Sequence, residues 1–138
     1  MEFFRSLAVI AVLLISVNSF ADETLDAAKC AQVEGLKGMT QILKVMPSGY
    51  GDVNFHIHRW KVQAMKASEL KKQIKDYARR MGVNAQSRQL NQMALDLDLA
   101  TQGGYGDVYY WIHKQEVQQK VFNNCSETLS VMLKSYCK

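Results

Sequence analysis

The stretch Ser48-Gly-Tyr-Gly-Asp-Val-Asn-Phe-His-Ile-His-Arg-Trp-Lys-Val-Gln63 recurs 55 residues later, without a gap, as Gly103-Gly-Tyr-Gly-Asp-Val-Tyr-Tyr-Trp-Ile-His-Lys-Gln-Glu-Val-Gln118. Nine of the 16 positions are identical, and Phe55/Tyr110 and Arg59/Lys114 are conservative exchanges. Two copies of one unit make a pseudo-symmetric domain, not a solenoid. Each copy carries its own helix start. A flexible glycine precedes Asp52 or Asp107, and an aspartate there accepts bonds from the free amides of the first helical turn.

Apolar residues follow both starts at a helical period. The first stripe runs Val53, Ile57, Trp60, Ala64, Ala67, Ile74, Ala78, Met81. The second runs Val108, Ile112, Phe122, Leu129, Leu133, Tyr136, interrupted by Gln115 and Gln119. The spacing predicts helices over about 52–81 and 107–136, the latter with a candidate break at Asn123-Asn124. Another helical segment precedes each glycine loop. Residues 23–46 carry Leu25, Ala28, Leu36, Met39, Leu43 and Met46, and residues 86–101 carry Leu90, Met93, Leu97 and Ala100. Gly82 is the stop between copies. The chain reads as all-α: a four-helix up-and-down arrangement from two tandem helical hairpins, related by a pseudo-twofold.

Working outward, the N-terminus has the pattern of an export signal. Arg5 precedes an apolar run from Leu7 to Val17, and Ser19 and Ala21 hold the small-residue positions read by signal peptidase. The run is too short to span a membrane, which needs about 20 residues. We expect cleavage after Ala21, a periplasmic protein, and no membrane insertion of the mature chain. Residues 22–138 then form one domain, with repeat halves at about 22–82 and 83–138. The formal net charge of +4 is spread among interspersed acids and bases. No basic block argues for nucleic acid, whereas an acidic protein partner or an anionic envelope polymer would suit it.

Export makes Cys30, Cys125 and Cys137 a disulfide question. Suppose both glycine loops lie at one end and helices rise about 1.5 Å per residue. Cys30 then stands at about 24 Å, Cys125 at about 27 Å and Cys137 near 45 Å above that end. These levels favour one disulfide, Cys30–Cys125. A turn back at Asn123-Asn124 would instead bring Cys137 to Cys30.

Catalysis and cofactor chemistry find little support. Residues two apart on a helix diverge by about 200°, so His56 and His58 cannot chelate one ion. Capping accounts for Asp52 and Asp107, and no CxxC or CxxCH motif occurs. We expect no enzyme, no metal and no cofactor. Phe55, His58 and Val62 form a second helical face away from the core stripe. Tyr110, His113 and Val117 repeat it, extended by Val121. That face is either buried in a central helix or exposed for self-association or a partner. The loops, with Tyr50, Tyr105, Tyr109 and Trp111 beside them, are either plain capped turns or a binding tip, since these residue types are favoured at hot spots.

In size, export signal and helical content the chain resembles periplasmic immunity proteins of type VI secretion systems, including those that neutralise muramidase toxins. The residues that carry the resemblance are the second face and the loops 49–53 and 104–108. It implies a protein-binding inhibitor that plugs the active-site cleft of a secreted peptidoglycan-degrading toxin, with a homodimer as the assembled form. A positive surface would suit the carboxylates of a glycan-hydrolase cleft. The competing expectation is a periplasmic module that binds a small apolar ligand or an unfolded chain.

Overall fold

The computed structural model describes residues 27–44 and 49–137. The expected export signal at 1–21, together with Leu25, Met46 and Pro47, lies outside the described residues. Four helices make up the described chain, with no strand among the described residues. They are α1 (27–44), α2 (Val53–Met81), α3 (Ala85–Leu99) and α4 (Val108–Tyr136). No helix among them is long and apolar enough to cross a membrane.

The duplication is visible at both ends of the long helices. α2 and α4 each have 29 residues, and their first and last residues are displaced by the same 55 positions. Asp52 accepts from the Phe55 amide at 3.0 Å, and Asp107 accepts from the Tyr110 amide at 3.0 Å. The correspondence reaches back into the shorter helices at an offset of 54. Leu36, Met39 and Leu43 of α1 occupy the core positions that Leu90, Met93 and Leu97 occupy in α3. The connection to the following helix absorbs the one-residue difference.

α2 stops at Gly82, whose φ of 83° suits a residue without a Cβ, and Arg79 and Arg80 in the last turn complement the negative end of the helix. Three residues later a capping box starts α3. Asn84 accepts from the Ser87 amide at 2.8 Å, and the Ser87 hydroxyl accepts from the Asn84 amide at 2.9 Å. α4 runs through Asn123-Asn124 without a break, with both side chains exposed.

Contacts fix the up-and-down arrangement. Lys71 of α2 pairs with Asp98 of α3, which requires the two to run antiparallel about the Gly82 turn. α2 and α4 lie side by side in the same direction, with the Trp60 and Trp111 rings 5.3 Å apart. Both glycine loops therefore sit at one end of the molecule. The main core, with Leu36, Leu70, Ile74, Leu90, Leu97, Phe122 and Leu129 buried, fills the body below them. A small second cluster of Trp60, Ala64 and Trp111 closes the loop end.

The disulfide differs from the sequence expectation. Cys30 pairs with Cys137 across a Cα–Cα distance of 5.3 Å, and Cys125 is a buried free thiol. Cys30 and Cys125 would share a level only if α1 ended beside the start of α4. Instead the Gln119 amide donates to the Leu43 carbonyl at 3.2 Å, so the last described turn of α1 lies eleven residues beyond Val108. That raises α1 by about 16 Å. Cys30 thereby reaches the far end of α4, where Cys137 follows the last helical residue, and no turn back in α4 is needed.

Candidate binding end

Each tip is a glycine loop braced by the aromatic ring that follows it. Phe55 lies back over its own loop, and a Cβ on Gly51 would collide with its ring. Tyr110 lies over the second loop in the same way, and a Cβ on Gly106 would collide with that ring. A cation one turn further covers each ring: Arg59 stands 5.2 Å from the Phe55 centroid and Lys114 stands 5.6 Å from that of Tyr110. Hydrogen bonds close both braces. Arg59 Nη1 donates to the Gly49 carbonyl and the Tyr110 hydroxyl donates to the Gly103 carbonyl, each at 3.3 Å. The Gly-Tyr-Gly-Asp motif thus has a structural reason at both glycines and at the aspartate, and none at the tyrosine.

That tyrosine is the outlier. Tyr50 and Tyr105 are 101% and 100% exposed, and Tyr109 is 79% exposed. The other expected site residues divide into three groups. Asp52 and Asp107 are exposed at the tips, each with its carboxylate on a first-turn amide. His58 and His113 are exposed on the flanks of α2 and α4, with His113 Nδ1 3.8 Å from a Glu116 carboxylate oxygen. Phe55, Tyr110 and Val117 are half-buried, Val121 belongs to the core, and Trp111 is 5% exposed beneath the tip. The second face is therefore not one apolar patch, because its aromatic members cover their own loops.

Sequence reasoning missed a row of buried polar side chains under the tip. His56, Gln63, Gln115 and Gln118 are all buried. Gln115 Nε2 lies 3.1 Å from His56 Nδ1 and donates to the Trp111 carbonyl at 3.2 Å. Gln63 donates to the Leu43 carbonyl at 2.9 Å. Its counterpart Gln118 donates to the Ala100 carbonyl at 2.9 Å and to the Trp60 carbonyl at 3.0 Å. Carbonyls at helix C-terminal ends lack intrahelical donors, and a glutamine from the following helix supplies one in each copy. The identity of Gln63 and Gln118 within the repeat was the available signal.

Between the first turns of α2 and the second loop lies an open groove of about 480 Å³. Ile57, Trp60 and Trp111 form its floor, Gly103 to Gly106 one wall, and Lys61 its rim. Elsewhere, Cys30, Glu34 and Cys137 bring three ligand-type atoms within 4.8 Å of one another. The disulfide joins the two sulfurs, so they are not thiolate donors. Burial pushes the Cys125 thiol up to about 12, which keeps it protonated and unreactive. No family model, curated protein or solved structure matches the chain.

Proposed function

We propose that the chain is an exported inhibitor that binds another protein through its loop end, an immunity protein in kind, and that the protein it blocks is a secreted peptidoglycan-degrading toxin. One observation carries the reading. Two equivalent tyrosines stand fully exposed on loops whose every other repeated residue has a structural task. A tyrosine offers a large contact area on only two side-chain torsions, so a braced loop presents it at little entropic cost. The last described turn of α1 and the end of α3 meet α4 at Gln119 and Gln118, about three turns below its start, so the first turns of α2 and α4 carry the tips beyond them, a shape that suits insertion into a cleft. The basic side chains Arg59, Lys61 and Lys114 behind the tyrosines suit a cleft lined by catalytic carboxylates. Periplasmic localisation belongs to the same proposal and rests on the N-terminal pattern.

The test is the product of the neighbouring gene. Cells should survive export of that product only when the chain is present. The two purified proteins should form a complex at nanomolar concentration without any small molecule. A neighbouring product with no effect on cell walls, or one that ignores the chain, contradicts the proposal.

A further inference from the structure

We propose that the groove beside the second loop is a slot for an acidic segment of the protein partner, taking an apolar side chain together with an adjacent carboxylate. The inference rests on the protein-binding reading above and names the chemistry of what enters the site.

The floor of the slot is apolar and aromatic, from Ile57, Trp60 and Trp111, and can hold an apolar side chain. The wall made by Gly103 to Gly106 carries one side chain, that of Tyr105, which is fully exposed. An incoming backbone can therefore approach the loop closely. The volume of about 480 Å³ lies within the range of ligand pockets, enough for a large side chain and part of its neighbour. Lys61 is the only charged residue of the lining, and none of the ion pairs among the described residues involves it. Asp107, the nearest carboxylate in sequence to the wall, is already engaged by the Tyr110 amide. Asp107 keeps its negative charge in that bond but does not line the slot, so the charge within the lining is positive.

Comparing the copies isolates the same residues. Lys61 corresponds to Glu116, Trp60 to Gln115 and Trp111 to His56. The residues that build the two tips were retained after duplication, whereas three that line the slot or lie opposite it changed. One of these exchanges reverses the charge, so the two sides of the tip do not ask the same charge of a partner.

The chain's two tryptophans both line the slot, so their indole signals report its occupancy. The full chain, disulfide intact, would be titrated with acetyl-Glu-Phe-Glu-amide and with its neutral counterpart acetyl-Gln-Phe-Gln-amide, following both indole N–H resonances. We expect the acidic peptide to move both resonances and to bind about tenfold more tightly than the neutral one, the gain of one charge-assisted contact. Lys61→Gln should abolish the preference, and Lys72→Gln, three turns further along α2, should preserve it. Equal binding of the two peptides would overturn the charge assignment and leave an apolar slot. An unchanged preference in Lys61→Gln would overturn the role of Lys61. If neither peptide moves the indole signals, the slot is not a docking site and the inference fails, while complex formation with the neighbouring gene product would still decide the broader proposal on its own.

Discussion

At the start of α2 and at the start of α4 the chain builds the same tip twice. The aspartate cap, the two glycines, the ring laid over them and the cation over the ring are matched, with cap distances of 3.0 Å in both copies. Below the caps the copies part. The first contributes His56 and Trp60 where the second contributes Trp111 and Gln115, and these four side chains meet in one buried layer. Identical scaffolding with complementary interiors is what a duplicated hairpin needs in order to pack on itself. The two tryptophans pack edge to face on each other and the two polar side chains pair beside them, so each copy supplies one of each.

The copies also differ in how their short helices are held, and this difference should give the largest effect. α3 has short connections at both ends, while α1 is tied down by the Cys30–Cys137 bridge, closing 107 residues. Replacing both cysteines by serine should cost about 4 kcal/mol in urea unfolding. Amide exchange should rise first in 27–44 and stay low in α3. A uniform rise in both helices would break the distinction.

Next come the glutamines. Gln118→Leu leaves the Ala100 carbonyl at the end of α3 without the amide, while Trp60 inside α2 keeps its intrahelical donor, whereas Gln63→Leu leaves Leu43 with the Gln119 bond. The expected losses are about 2 and about 1 kcal/mol, measured by denaturant titration. The caps should behave alike: Asp52→Ala and Asp107→Ala should each cost about 1 kcal/mol, because each removes one equivalent bond. A twofold disparity between them would show that the tips are not equivalent.

Each copy also carries a titratable group where the other has an apolar one. Tyr77 corresponds to Met132, and Cys125 corresponds to Leu70. Burial pushes both acids up to about 12, from 10.0 and 9.0. Their folded forms hold the proton more tightly, so this stability is present in full below pH 9 and is lost as the pH rises towards 12. Unfolding free energy should be indifferent to these groups at neutral pH and fall in that alkaline window. Iodoacetamide should label no cysteine in the native chain at pH 8 and one in denaturant.

Much of the fold was legible because both long helices declare themselves by cap and period. The expected 52–81 and 107–136 stand beside observed helices Val53–Met81 and Val108–Tyr136. The disulfide was not, because its register depends on where α1 packs along α4, and no local pattern encodes that height. The buried glutamines were missed for another reason. A hydropathy stripe treats Gln115 and Gln119 as interruptions and passes over Gln118, although the buried Gln118 amide on the Ala100 carbonyl at the end of α3 is as much part of the interior as Phe122. Reading the second face from the helical wheel alone also missed that Phe55 and Tyr110 fold back over their own loops.

The central claim is that the tip tyrosines serve recognition and not the fold. Equilibrium unfolding of the Tyr50→Ala/Tyr105→Ala double variant, alongside its protection of cells against the neighbouring gene product, tests it directly. Both side chains are fully exposed, so stability should stay within about 0.5 kcal/mol of the parent while protection falls at least tenfold. Full protection by a stably folded double variant would contradict the account.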